Sequence, residues 1–152
     1  MSAGTDQLRV VYDDQQLIHN HSAWSFVPWH SLAGVTNRSI TKKAKYRWQR
    51  GVPTLGPTRE ELEETSRRFD TKYLLAIMNS TVARDYLRAN RRSNLHLYPD
   101  DWKQLPVPDI PPAEQAHIVE AVDHILDSCH EADATAHEAA LDDLVKELYV
   151  RA

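Results

Sequence analysis

Apolar residues recur with helical spacing in the middle of this 152-residue chain. Asp70 stands where a helix cap is expected, and the residues after it predict a helix over 71–89. The apolar positions of that helix are Leu74, Leu75, Ile77, Met78, Val82 and Leu87. Just before it, Thr58 and Glu61 form a capping-box pattern that predicts a shorter, charged helix ending near Arg68.

The same periodicity returns in the C-terminal third of the chain. One helix is predicted from Pro112 to about His130, and a second begins near Asp133. Their apolar positions are Ile118, Val119, Val122, Ile125 and Leu126 in the first and Leu141, Leu144, Val145, Leu148 and Tyr149 in the second. We expect these helices to form an antiparallel pair.

Short runs rich in β-branched and aromatic residues predict strands at Leu8–Tyr12 and Ala23–Val27. Apolar and polar residues alternate in Leu95–Tyr98, which predicts a further strand. The sequence therefore predicts an α+β fold: a small mixed or antiparallel sheet packed with helices, followed by the C-terminal antiparallel helix pair. Trp24 and Trp102 are expected in its core.

An extended, proline-rich segment joins these two parts. We call Leu105–Pro112 the proline strap, because its prolines fix φ and keep the residues before them extended. The strap is also a charge boundary, since residues 1–108 hold 16 basic and 11 acidic residues whereas 109–152 hold 2 and 11. We predict a domain at 1–108 with a net charge of +5 and a helical arm at 109–152 with a net charge of −9.

Basic residues follow one another without an intervening acid between positions 38 and 50. They are Arg38, Lys42, Lys43, Lys45, Arg47 and Arg50, and Tyr46 and Trp48 lie among them. Cations interleaved with aromatic side chains are typical of phosphate-binding surfaces, so this run is a candidate nucleic-acid contact. A solvated basic loop without a ligand is the alternative interpretation.

Composition limits the classes of function. No apolar run approaches the roughly 20 residues that span a bilayer, and the N-terminus has no secretory-signal pattern, so we expect a cytoplasmic protein without a membrane partner. Cys129 is the only cysteine, which excludes a disulfide framework within the chain. No metal site is predicted. The histidines of the arm are interpreted as polar edges of the helix pair: His117, His124, His130 and His137.

Several separated segments resemble one family. They are Lys72–Ser80, Tyr98–Pro108, Glu114-Gln115 with Ile118-Val119, and Leu141–Tyr149. Together they are similar to the C-terminal specificity region of large adenine-specific DNA methyltransferases. That family includes type II restriction-modification enzymes, which fuse methylation, recognition and often cleavage in one chain, and relatives in phage defence.

The resemblance implies a target-recognition domain that helps to hold duplex DNA. A separate catalytic domain of the same parent chain would bind S-adenosylmethionine and flip out the adenine, so duplex DNA and that domain are the expected partners. No cofactor is expected in this fragment. Lys and Arg position DNA through phosphates, and a few polar side chains read base edges. The candidate DNA-binding residues are Arg38, Lys42, Lys43, Lys45, Arg47, Gln49, Arg50, Arg91, Arg92 and Asn94.

Two alternatives stay open. Arg91 and Arg92 also suit a helix C-terminus, where cations complement the macrodipole. The whole chain could instead be a protein-interaction module that docks through its acidic arm without touching DNA.

No catalytic residue is predicted. Adenine methyltransferases use Asn-Pro-Pro followed by Tyr or Phe to hold the flipped base, and the chain contains no such sequence. It also lacks a glycine-rich cofactor turn. This piece alone therefore cannot carry out methyl transfer, which the resemblance assigns to the parent enzyme, and whether that parent also cleaves DNA stays open.

In the intact parent enzyme, we expect the change of Lys42, Lys43, Arg47 and Arg50 to Ala to lower DNA affinity and to flatten its salt dependence. Fewer counterions are released when the protein neutralises fewer phosphates. Binding titrations at several salt concentrations measure both quantities. Unchanged affinity and salt slope would contradict a basic DNA surface in this segment.

Overall fold

The computed structural model describes residues 9–15, 17–18, 23–38, 40, 48–49, 52–53, 57–93, 97–128 and 134–151. The chain forms two compact units, of which the first combines Met1–Leu17 with Asp70–Ala152 and the second is Ile18–Phe69. The second unit is thus an insertion in the sequence of the first. The predicted boundary after residue 108 falls inside the first unit. Across the described ranges, we find no helix with the length and apolar character needed to cross a membrane.

Helices dominate the described residues. They are α1 (Arg59–Arg67), α2 (Thr71–Asn79), α3 (Thr81–Asn90), α4 (Pro99–Trp102), α5 (Pro112–Asp127) and α6 (Ala134–Arg151). A 3-10 turn covers Trp29–Leu32. The capping box predicted at the start of α1 is confirmed, as Thr58 Oγ1 accepts the Glu61 N–H and Glu61 accepts the Thr58 N–H.

The predicted α+β fold is wrong. Strand structure in the described part of the chain is limited to a ribbon of two residues a side, β1 (Trp48–Gln49) paired antiparallel with β2 (Val52–Pro53). The described residues of the three predicted strands, 9–12, 23–27 and 97–98, are not strands. Leu8, Leu95 and His96 lie outside the described residues. Trp24 is 61% exposed, so the prediction that it belongs to the core is also wrong.

A side-chain amide takes the place of a neighbouring strand for the segment at residues 9–12. The Val10 N–H donates to Asn79 Oδ1 at 3.0 Å, and Asn79 Nδ2 donates to the Val10 carbonyl at 2.8 Å. The backbone groups of Val10 thus bond to a helix end and not to another strand. Strand pairing is decided by distant residues, which a local pattern does not contain.

The single helix predicted over 71–89 is interrupted at Ser80. This residue has an extended backbone, with φ −67° and ψ 158°, and its Oγ accepts the Ala83 N–H at 3.1 Å. The same hydroxyl donates to the Ile77 carbonyl at 2.7 Å, so one buried side chain ends α2 and begins α3. Serine competes well for backbone groups in this way, and the apolar periodicity did not reveal it.

Asp142 of α6 completes the cap of α3 from another helix. Its carboxylate accepts the Thr81 N–H at 2.7 Å and the Thr81 hydroxyl at 2.8 Å, and Lys146 Nζ lies 3.0 Å from it. Burial of the Asp142 carboxyl works to raise its pKa, but the bonds from Thr81 and Lys146 outweigh burial and leave the pKa below its ordinary value. The carboxylate therefore also balances the positive end of the α3 dipole.

The core of the first unit lies where α2, α3, α5 and α6 meet. Its buried apolar residues are Tyr73, Ala76, Ile77, Ala83, Leu87, Leu105, Ile118, Val122 and Val145. Lys72 of α2 forms an ion pair with Asp123 of α5 at the edge of this core. The small side chains of Ala76 and Ala83 allow the helices to approach closely.

The proline strap is held by side chains from three helices. Tyr73 of α2 donates its hydroxyl to the Pro108 carbonyl at 2.8 Å, and Tyr149 of α6 donates to the Pro106 carbonyl at 2.6 Å. Gln115 of α5 donates to the Ile110 carbonyl at 2.9 Å, and its Oε1 accepts the Asp70 N–H at 2.9 Å. Burial raises the pKa of Tyr73 to about 12, so this phenol keeps its proton.

The strap also fixes the direction of the C-terminal helices. Tyr149 near the end of α6 contacts Pro106, which precedes α5, while His137 near the start of α6 contacts His124 near the end of α5. The two helices pack together and therefore run antiparallel. Both helices lie where the apolar periodicity predicted them.

The inserted unit is organised around α1. Arg59 donates to the carbonyls of Leu32 at 2.5 Å and Val35 at 2.8 Å, and its Nε pairs with Glu63 at 2.7 Å. The His30 N–H donates to Ser66 Oγ at 2.8 Å. These bonds join α1 to the turn at Trp29–Leu32 and the residues after it.

We expect Tyr73→Phe to lower the free energy of unfolding by about 1–2 kcal/mol, because the buried Pro108 carbonyl loses its donor while the ring remains. Urea denaturation at pH 7 measures the change. Tyr86→Phe is the matched control, since the Tyr86 hydroxyl has no hydrogen bond within the described residues. Equal effects of the two changes would contradict a stabilising role for the strap bond.

We expect Asp142→Asn to cost about 1 kcal/mol at pH 7, because the cap of α3 loses its charge. The carboxylate's stabilisation is present above the unfolded pKa of about 3.9 and is lost as the pH falls through the lower folded pKa. The difference between the two proteins should therefore shrink below about pH 4. Denaturation at pH 7 and pH 3.5 tests this. Asp143→Asn is the control, because Asp143 also pairs with Lys146 but does not cap α3. A difference independent of pH would refute this account.

Candidate nucleic-acid interface

Arginine side chains gather on and just after α3. Arg84 and Arg88 are four residues apart, which places them on one face about 6 Å apart along the helix axis, and Arg91 follows three residues later. We call Arg84, Arg88 and Arg91 the arginine row. The break at Ser80 and the cap by Asp142 set where this helix begins, and Leu87 anchors it in the core.

Two of the three guanidinium groups keep their charge unpaired within the described part of the chain. Arg88 Nη1 lies 3.2 Å from Asp85, and both side chains are largely exposed. Arg84 and Arg91 have no ion pair among the described residues. Arg91 Nε also has no hydrogen-bond partner in the described structure, but this atom is buried, so a ligand could contact only the rest of the guanidinium group. An unpaired guanidinium is a strong donor for phosphate oxygens, whose fork geometry it matches.

The surface at the row is concave. Thr81, Arg84, Asp85 and Arg88 line a shallow depression of about 290 Å³. Arg84 also borders a larger groove of about 630 Å³, whose floor is apolar and includes Leu75, Val122, Ile125 and Leu141. The depression is therefore charged whereas the neighbouring groove is mostly apolar.

Arg92, a predicted DNA contact, has structural partners. Its Nε lies 3.2 Å from Asp101 and its Nη2 lies 3.5 Å from Asp100, and the guanidinium stands 5.4 Å from the centre of the Tyr98 ring. The Tyr98 N–H, together with Arg92, holds the pKa of the Asp101 carboxyl below its ordinary value, although burial opposes this. Arg92 thus ties the end of α3 to the start of α4, and about half of its side chain remains exposed.

The other predicted contacts fall mostly in the inserted unit. Arg38 is exposed there. Gln49 lies in β1, and its side chain lies outside the described residues, as do the following predicted contacts: Lys42, Lys43, Lys45, Arg47, Arg50 and Asn94. Arg91, Arg92 and Asn94 belong to the first unit and the rest to the inserted one.

The sequence pattern singled out Arg91 and Arg92 but not Arg84 and Arg88. Their spacing of four residues was the available signal, but Asp85 breaks the run of basic charge. A search for helical rather than consecutive spacing of arginine would have found them.

Within the part of the chain that the structure describes, no group of three or more His, Cys, Asp or Glu side chains is arranged to hold a metal ion. No protein-family model, curated protein or solved structure matches this chain. The methyltransferase resemblance therefore stays a prediction.

Proposed function

We propose that this chain is the DNA target-recognition part of a larger N6-adenine DNA methyltransferase and binds duplex DNA in the cytoplasm without catalysing methyl transfer itself. The observation that carries the proposal is the arginine row, with two guanidinium groups unpaired in the described structure. The segmental resemblance to methyltransferase specificity regions and the basic run between Arg38 and Arg50 support it.

On this proposal the arginine row and the polar candidate residues have different roles. Arg84 and Arg88 stand on a short, capped helix and Arg91 directly follows it, so they suit contacts to phosphates, which need fixed positive charge but no base discrimination. Base reading falls to polar side chains, with Gln49 and Asn94 the candidates from the sequence. S-adenosylmethionine and the target adenine would be handled by the catalytic domain of the parent.

The helical arm supports a second role, contact with that catalytic domain. Leu144 and Val150 of α6 are exposed, Val150 to 86%, on a strongly acidic part of the chain. Exposed apolar side chains surrounded by charge are typical of surfaces that another protein covers. If this role stood alone, the chain would be an interaction module without DNA affinity.

We expect Arg84→Ala with Arg88→Ala to weaken binding of the full chain to duplex DNA and to make the plot of log Kd against log salt less steep. The slope should fall by roughly 0.9 for each phosphate that the variant no longer neutralises. Fluorescence anisotropy with a labelled duplex at several salt concentrations measures both.

The matched control is Arg67→Ala with Arg151→Ala. These arginines are exposed, ion-paired and located on α1 and α6, so the control removes the same net charge elsewhere. Equal reductions in affinity in the two double variants would show an effect of net charge only. A wild-type chain without measurable, salt-dependent DNA binding would favour the interaction module.

A further inference from the structure

Two histidines that are distant in the sequence lie in contact at one end of the α5–α6 pair. His124 of α5 and His137 of α6 have ring centroids 4.5 Å apart, with the ring planes at 69°. The two histidines are thirteen positions apart in the sequence, and the antiparallel packing of α5 and α6 brings them into contact. The contact therefore depends on the packing of α5 against α6 and not on the spacing of histidines within one helix.

One ring nitrogen of this pair has an unused lone pair or proton. His137 Nδ1 is buried and has no hydrogen-bond partner in the described structure. Buried polar atoms are usually hydrogen-bonded, so an orphaned imidazole nitrogen needs an explanation. A neutral imidazole nitrogen is also a common metal ligand. His124 is exposed, so an ion can reach the side chain of that histidine from solvent.

The separation of the rings suits shared coordination of one ion. With metal–nitrogen bonds of about 2.0–2.1 Å and a nitrogen–metal–nitrogen angle of roughly 90–110°, two imidazole centroids stand roughly 4.5–5.2 Å apart. The observed 4.5 Å lies at the near end of that range. Rotation of the two rings so that one nitrogen of each faces the ion would complete the site.

We propose that His124 and His137 bind one divalent transition-metal ion of the kind that prefers imidazole, such as Zn²⁺, Cu²⁺ or Ni²⁺. The described residues supply two protein ligands and no third, so water would fill the remaining positions. The ion would link α5 to α6 near the C-terminal end of α5. The net charge of −9 over residues 109–152 favours the approach of cations to the helical arm that carries both histidines.

The proposal is tested with the full chain, without a histidine tag and freed of metal by a chelator. We expect ZnCl₂ to bind with a stoichiometry of one ion per chain. Tm should rise by about 3–6 °C when free Zn²⁺ is about tenfold above Kd. His124→Ala and His137→Ala should each abolish the tight site, whereas His117→Ala should retain it. His117 is the matched control because it is exposed on the same helix.

Coordination is tested separately with Cu²⁺ as the probe. Electron paramagnetic resonance should show two coordinated imidazole nitrogens in the wild-type chain and in His117→Ala, but at most one in His124→Ala. Because His124 is exposed, its replacement should leave the helical circular dichroism unchanged even if His137→Ala disturbs the fold. Zn²⁺ binding that survives replacement of both His124 and His137, or no binding by the wild type, would overturn the proposal and leave an edge-on ring contact.

Discussion

The first unit depends on the hydrogen bonds that the backbone carbonyls of the proline strap accept from side chains of the surrounding helices. Prolines at 106, 108, 111 and 112 remove N–H groups, so the proline strap cannot join a sheet as an ordinary strand. Its carbonyls at 106, 108 and 110 instead accept bonds from Tyr149, Tyr73 and Gln115. These donors come from α6, α2 and α5, so the strap sets the relative positions of three helices.

The sequence distance between hydrogen-bonded groups explains which parts of the fold could be predicted from the sequence and which could not. Helix caps at Thr58 and Asp70 involve residues within one turn, and they were visible as local patterns. The predicted sheet required hydrogen-bond partners from distant parts of the chain, which a local sequence pattern does not identify. Asn79 supplied the bonds for Val10 from 69 residues away. The break at Ser80 was hidden because its hydroxyl matters only when Ile77 and Ala83 are both close.

The candidate site shows a similar division. Charge counting found Arg91 and Arg92, because adjacent cations are conspicuous in a sequence. Counting could not show that Arg92 binds Asp100 and Asp101 whereas Arg84 has no ion pair in the described residues. Acids eight and nine residues away pair with Arg92, whereas the described residues around Arg84 offer it no acidic partner. Availability of charge is thus a property of packing rather than of composition.

The position of Asp142 also decides how α3 could contact an anion. Helix N-termini commonly bind phosphate through free N–H groups and the positive end of the dipole. Here the Thr81 N–H is bonded to the Asp142 carboxylate and the Ala83 N–H to Ser80, so these donors are occupied. A phosphate approaching that end would meet a negative charge. On the proposed function, DNA phosphates would therefore be bound by the arginine side chains further along the helix and not by these N-terminal N–H groups.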